Sequence, residues 1–338
     1  MNNVTENCDT IKQAPRDYLF DNMRAILIIL VVWGHTLTNM AYDHDALRMI
    51  YYFLFFFHMP AMIFISGYFS KNVEKNRNNA FIKLLVPYLI LNVVDYIYKI
   101  FILHDNYFGF RFFQPSWGLW YLLALFIWKF FLKDIIRIRF VLPLSFLFAL
   151  LSGYSKEFSE YMALGRVVNF LPFFLLGYFC TKEYIEKIRR IPKLVSVVII
   201  MATAALSIYI VNIKLFGMEV FYLRKPYPQD QEFKRMLFRL LVYIVAIAMT
   251  IAVINLTSSK KGFLSAIGTT TVTIYVLHLF AIPALEKLEI LKGHPYYYII
   301  YSVIITAILT FVFSRPLIKK IYDYIIDSLS GIIIKNKN

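Results

Sequence analysis

Arg24 and His35 stand eleven positions apart in the otherwise apolar run NMRAILIILVVWGHTL, residues 22–37. Histidine takes and gives protons near neutral pH. Arginine offers a permanent charge in a planar fork that suits phosphate. Both are costly inside a bilayer, so ionisable groups in such runs are read first as functional. Eleven steps of ~100° bring a helix back to within ~20° of its starting direction, so the two side chains share one face, ~16 Å apart along the axis. His58, Asp95 and His278 lie in apolar runs of their own. Counting ~1.5 Å per residue from the inner end of each run places His35 at ~20 Å, His58 at ~18 Å, Asp95 at ~22 Å and His278 at ~24 Å. Three imidazoles and a carboxylate thus fall in one layer, in the middle-to-outer half of the membrane. Such a layer suits general acid–base catalysis or a proton-coupled transporter. It does not have metal-ligand spacing, since no two of these histidines sit at i, i+4 on one face. Two bland alternatives stay open: Asp95 pairs with Lys99 one turn away, and Arg24 is a snorkelling anchor at an inner helix end.

The elements that must hold these residues are membrane spans. The 338 residues are 59% hydrophobic and 18% aromatic, with mean hydropathy +0.61, against about 45–50% apolar in an ordinary soluble chain. Apolar windows recur at 22–41, 47–70, 80–103, 117–132, 138–153, 164–180, 193–213, 236–256, 262–282 and 296–314. The expected fold is all-α, a polytopic bundle of about ten transmembrane helices. A cytoplasmic tail (1–20), the membrane domain (21–314) and a second cytoplasmic tail (315–338) complete the organisation. The first run has no small-residue cleavage site after it and reads as a permanent span.

The net charge of +15 is scattered between apolar windows rather than gathered in one patch, which argues against nucleic acid as partner. With the amino terminus inside, the inner segments carry 23 Lys and Arg and the outer segments 12, Lys99 lying within a span. That bias predicts both termini in the cytoplasm. Six of the twelve outer cations fall in one loop, around 214–239. Cys8 and Cys180 then both face the reducing side and remain thiols.

Five segments in order resemble the membrane acyltransferase-3 family, and in particular its fucose 4-O-acetylase-like branch of glycan O-acetyltransferases. They are DNMRAILIILVVWGH with its Arg24 and His35, YYFLFFFHMPAMIFISGYF (51–69), PSWGLWYLLALF (115–126), GRVVNFLPFFLLGYF (165–179) and TIYVLHLF (273–280). The resemblance covers residues ~17 to ~314. It implies transfer of an acyl group, usually acetyl, from cytoplasmic acyl-coenzyme A to a hydroxyl of an extracytoplasmic or lipid-linked glycan. It gives His35 the catalytic role and Arg24 a part in handling the donor. One departure stands out: many relatives begin the third helix with Arg-x-x-Arg, where this chain reads KNRNNAFIKLLVPY. Arg77 and Lys83 supply basic charge there instead.

The expected mechanism follows. Arg24, Arg77 and Lys83 meet the phosphates of acetyl-CoA from the cytoplasm. The thioester reaches the mid-membrane layer, where His35 acts as base or as acyl carrier, with His58, His278 and Asp95 as further candidates in the layer. On the acceptor side Arg166 and Asn169 can bond hydroxyls, while Trp117, Trp120 and Tyr121 can pack on sugar faces. An interfacial aromatic belt explains the tryptophans equally well. The acceptor is a cell-surface glycan such as capsule, exopolysaccharide or teichoic acid. The location is a plasma membrane, bacterial on the Ile-, Lys- and Asn-rich composition. The competing function is a proton-coupled transporter or flippase using the same buried layer, although no internal repeat supports it. A silent scaffold would not need Arg24 and His35 on one face.

Overall fold

The computed structural model describes residues 17–105, 114–156, 161–291 and 293–333. Every regular element among them is helical. The first helix, α1, runs unbroken over Leu19–Asp43 and carries both Arg24 and His35. His44 adopts an extended backbone and separates it from α2, Asp45–Phe55. A break at Phe56 and Phe57 precedes α3, His58–Tyr68, whose third residue is Pro60. Proline is tolerated in a first turn because the N–H it lacks has no intrahelical partner there. α4, Val73–Ala80, is capped by the Asn72 side chain, which accepts from the Lys75 N–H. It continues through one π-helical turn, Phe81–Leu85, into α5, Val86–Phe101.

A 3-10 turn, Trp117–Leu119, leads into α6, Trp120–Ile135. Then come α7 (Val141–Leu151), α8 (Leu164–Phe179), α9 (Lys182–Arg190) and α10 (Lys193–Asn212). The chain ends with α11 (Glu232–Leu256), α12 (Phe263–Gly268), α13 (Thr271–Glu286), α14 (Pro295–Phe313) and α15 (Pro316–Ile333).

Each of the ten apolar windows contains a helix, but the helices are unequal. Six stretches are long and apolar enough to cross a bilayer: Leu19–Asp43, Asp45–Tyr68, Val73–Phe101, Lys193–Asn212, Glu232–Leu256 and Pro295–Phe313. A seventh is available if α8 and α9 count as one span, though they meet at 94°. The expected windows at 117–132, 138–153, 164–180 and 262–282 give shorter helices. A 16-residue helix such as α6, α8 or α13 is ~24 Å long, less than a ~30 Å hydrocarbon core. The long helices expose large apolar side chains, among them Leu194, Val198, Met201, Ile300, Ile304 and Ile308. On α10 and α14 these form a lipid-facing surface, so the chain is a multi-pass membrane protein. The C-terminal segment expected as a tail is the helix α15, whose Tyr322 and Ile326 pack on the core. Cys8 lies outside the described residues, and Cys180 is a free thiol.

Close crossings set the relative placement of the helices. Where α3 meets α8, Gly67 lies so near Phe174 that a Cβ would sit 1.9 Å from its carbonyl oxygen. Gly177 repeats this against Phe64, also at 1.9 Å. Reciprocal glycines let two backbones touch, the small-residue packing characteristic of membrane helices. Gly268 on α12 approaches the Asp21 carbonyl of α1 in the same way. Gly118 in the 3-10 turn leaves room for Leu279 on α13, where a Cβ would come within 2.4 Å. Side chains of α1, α3, α8 and α13 converge on one point, a shared cavity.

Candidate active site

That point is occupied by histidines. His278 on α13 is fully buried. Its Nδ1 lies 3.0 Å from the carbonyl oxygen of Ile274 one turn back. A carbonyl can only accept, so Nδ1 carries the proton and Nε2 of the neutral ring is an acceptor. His278 Nε2 lies 3.1 Å from His35 Nδ1 on α1. His35 must therefore donate from Nδ1, which leaves its Nε2 with a lone pair. Trp117 lies against the His35 ring, centroids 4.5 Å apart. The imidazole is held by a hydrogen bond on one edge and an indole against its ring.

His58 repeats the logic at the start of α3. Its Nδ1 donates to the Leu54 carbonyl at 2.6 Å, and its Nε2 is buried with no hydrogen-bond partner. Both His35 and His58 line a cavity of about 70 Å³ with Trp117, Trp120, Arg166 and Tyr275. Its small volume suits the reacting groups of a donor and an acceptor. The Arg166 guanidinium lies over Trp120 at 4.9 Å, and its Nε donates to the Tyr222 carbonyl at 3.4 Å. His35 is within electrostatic range of His278, His58 and Arg166. Among the described residues no three His, Cys, Asp or Glu side chains converge as a metal site.

The residues expected from the sequence divide clearly. His35, His58, Trp117, Trp120 and Arg166 share the cavity, and His278 supports it from behind. Asp95 does not join them. It pairs with Lys99 at 2.8 Å and accepts a short hydrogen bond from Ser116. The sequence placed it in the same layer as the histidines, but its carboxylate is turned to Lys99 and Ser116. Asn169 is also not in the cavity wall. Its Nδ2 donates to the carbonyls of Gly165 (2.7 Å) and Leu223 (3.0 Å), and its Oδ1 accepts from Arg239 at 2.8 Å. Tyr121 is buried, bonded to Ser66 at 2.7 Å and edge-on to Tyr275 at 5.7 Å.

Arg24 lies three turns along α1 from His35 and does not line the same cavity. It pairs with Asp21 at 3.3 Å and stacks over Phe69 at 4.5 Å. Tyr121 lies within range of the Arg24 charge, and Tyr275 within range of Tyr121, so buried tyrosines occupy the ground between arginine and histidine. Arg77 pairs with Asp134 at 3.2 Å, half-exposed, and Lys83 is exposed on the π-helical turn.

Tyr275 and Tyr222 line the site without having been singled out. Tyr275 stands three residues before His278, a spacing that puts two side chains on one helix face, and this was a usable signal. Tyr222 comes from the loop after α10 and had none.

Comparison with curated proteins and comparison with solved structures each give no match. The model of the acyltransferase-3 family, described as an acyltransferase domain, matches residues 17–316. That span takes in every residue of the cavity, and the chain belongs to the acyltransferase-3 family of membrane acyltransferases.

Proposed function

We propose that the chain moves an acetyl group from cytoplasmic acetyl-CoA to a hydroxyl of an extracytoplasmic or lipid-linked cell-surface glycan, with His35 as the base. The observation that carries this reading is the paired histidine geometry: His278 Nδ1 on a carbonyl, His278 Nε2 on His35 Nδ1, and the remaining lone pair of His35 left for the cavity. A base oriented by a second group is the general arrangement for activating a hydroxyl.

The step balances as follows. His35 Nε2 takes the hydroxyl proton as the oxygen attacks the thioester carbonyl. The tetrahedral intermediate collapses, the C–S bond breaks, and coenzyme A leaves as a thiolate that recovers the proton from His35. The imidazolium formed in between keeps its Nδ1–H on neutral His278, which stabilises it. Arg166 faces the same cavity, where its charge favours the developing oxyanion and its N–H groups hold the acceptor. Trp117 and Trp120 give flat apolar faces for a sugar ring. Arg24, with Arg77 and Lys83 nearer the aqueous edge, meets the phosphates of the donor.

The membrane placement belongs to the same proposal: ten spans, both termini in the cytoplasm, in a bacterial plasma membrane, within the fucose 4-O-acetylase-like branch. Purified protein incubated with acetyl-CoA labelled in the acetyl group tests it. Thioester turnover that is lost in His35→Ala, together with loss of O-acetyl signals from a surface glycan of cells carrying the same variant, is the expected result. Retained acetylation with His35→Ala present at normal level in the membrane would remove His35 from the reaction.

A further inference from the structure

The segment 214–239, which spans the loop after α10 and the first turns of α11, holds half of the cations assigned to the outer side, against the usual bias of such segments. The fold gathers four of them. Arg224, Lys225, Arg235 and Arg239 line a cavity of about 270 Å³ in which Glu219 is the one carboxylate among the described residues. Arg239 is only 5% exposed. Its guanidinium donates to the carbonyls of Ala149 (2.9 Å) and Lys225 (3.4 Å), to Ser152 (3.5 Å) and to the Asn169 side chain (2.8 Å). It lies over the Tyr227 ring at 4.4 Å. All of these partners are neutral. A charge this deeply buried ordinarily has a counter-ion.

Arg235 gives a second, independent observation. It stands in the first turn of α11, where the positive end of the helix disfavours a cation and favours an anion. Its Nε is buried with no hydrogen-bond acceptor. Its one ion pair among the described residues, to Glu219, spans 3.7 Å, longer than a hydrogen bond.

This cation cavity shares a wall with the histidine cavity. Phe221 and Tyr222 line the latter, Leu223 and Arg224 the former. Between them Leu223 holds a left-handed backbone, φ 50, which a leucine adopts only when its surroundings impose it. Asn169 does so by donating to the Leu223 carbonyl while accepting from Arg239.

We propose that the cation cavity binds an anionic group of the acceptor, phosphate or carboxylate, while a neighbouring hydroxyl of the same glycan reaches His35. This rests on the acyl-transfer reading and narrows its substrate class to an acidic glycan. The anion supplies the counter-charge that Arg239 does not find among the described residues and that Arg235 has only at 3.7 Å, in Glu219. Planar guanidinium pairs suit either anion through two parallel hydrogen bonds.

The test uses the full chain in phosphatidylcholine nanodiscs and titrates four probes by calorimetry: inorganic pyrophosphate, a glycerol-phosphate trimer, glucuronate and neutral N-acetylglucosamine. Binding of the first two marks a phosphate-bearing acceptor, and binding of glucuronate alone a uronate. In either case Arg235→Gln is expected to weaken binding about tenfold or more, as loss of a charged hydrogen bond would. Glu219→Gln, which removes the competing carboxylate, is expected to tighten it. Arg235→Gln and Glu219→Gln alter half-buried side chains, so folding is checked by their melting curves, and the Glu219 variant's gain cannot arise from misfolding. No anion binding, binding indifferent to both substitutions, or displacement of pyrophosphate by acetyl-CoA would overturn the proposal. Thioester turnover by the unaltered protein, measured in parallel, reports on the acyl-transfer reading separately. Turnover without anion binding sinks the acidic acceptor alone, and absence of turnover sinks the underlying reaction.

Discussion

His35 and His278 meet Nδ1 to Nε2 across 3.1 Å, from helices 243 residues apart in the sequence. The partner of each nitrogen fixes the tautomer of both rings, because the chain of donors ends on a backbone carbonyl that can only accept. His278 thereby acts through His35, as a positioning residue. His278→Ala leaves the His35 ring free to turn and to take the other tautomer. Acyl transfer is expected to fall ~10- to 100-fold and the pH profile to change shape, while His35→Ala loses the larger ~10²- to 10⁴-fold contribution of a general base. His278→Gln, whose side-chain oxygen can accept from His35 Nδ1, is expected to recover part of the activity. A purely structural role for His278 would give no such recovery by kcat.

Arg24 is engaged by Asp21 and Phe69, so a donor phosphate must compete with a carboxylate at 3.3 Å. Arg24→Ala is expected to raise KM for acetyl-CoA sharply and to leave the acceptor KM unchanged. Arg24→Lys is expected to restore binding only in part, since an ammonium cannot reproduce the two-pronged contact. Initial-rate kinetics with each substrate varied in turn separates the two constants. An effect confined to the acceptor KM would move Arg24 out of the donor site.

Trp120 and Asn169 are one helical region apart from each other's task. Trp120 lies under Arg166 in the cavity wall, whereas Asn169 ties Gly165, Leu223, Arg239 and Tyr243 together. Trp120→Phe, which keeps an aromatic ring at this buried position, is expected to raise the acceptor KM with little change in melting temperature. Asn169→Ala is expected to lower the melting temperature, because it takes a partner from buried Arg239 and the donor from the Leu223 carbonyl, at about 1–3 kcal/mol for a buried polar group left unsatisfied. Differential scanning fluorimetry beside steady-state kinetics distinguishes them.

The crossing of α3 and α8 leaves no volume at either glycine. Gly67→Ala or Gly177→Ala pushes a methyl group into a facing carbonyl at 1.9 Å and forces the helices apart, with a cost of at least the ~1–3 kcal/mol typical of overpacking. Because α3 begins at His58 and α8 carries Arg166, activity is expected to fall as well. Detergent thermal stability, followed by size-exclusion fluorescence, gives the readout. Unchanged melting in both variants would mean that the helices do not touch there.

Spacing along an apolar run can be counted in the sequence, but the direction in which a helix turns a side chain cannot. Rise per residue placed His35, His58, Asp95 and His278 in one layer, because an apolar run has a countable length. Which way each helix turns its polar residue depends on how it packs, and that is set by contacts such as Gly67 on Phe174 and Gly268 on Asp21. Three of the four residues came together and Asp95 did not. The ten apolar windows each yielded a helix for the same reason, while their lengths were harder to see. The break at Phe56 and Phe57 had a local signal in Pro60, but the sharp bend between α8 and α9 was visible only as a change from an apolar run to KEYIEKIRR. The loop residues Tyr222 and Leu223 reach the site through tertiary contacts that no periodicity encodes.

Asp95 offers the sharpest separation between a reacting group and a paired one. It is 6% exposed at the side chain, and Lys99, 14% exposed, lies 2.8 Å away. Lys99 also donates to Ser116 at 2.6 Å, and Ser116 in turn donates to Asp95. Asp95→Ala would leave the lysine charge buried without its carboxylate, a loss on the order of 3 kcal/mol. Replacing both partners removes the stranded charge, so Asp95→Asn with Lys99→Met is expected to regain most of the lost stability. If Asp95 serves only this pair, the double variant also regains acyl transfer. A double variant that melts like the parent protein yet transfers no acyl group would return Asp95 to the reaction and overturn its assignment to the ion pair.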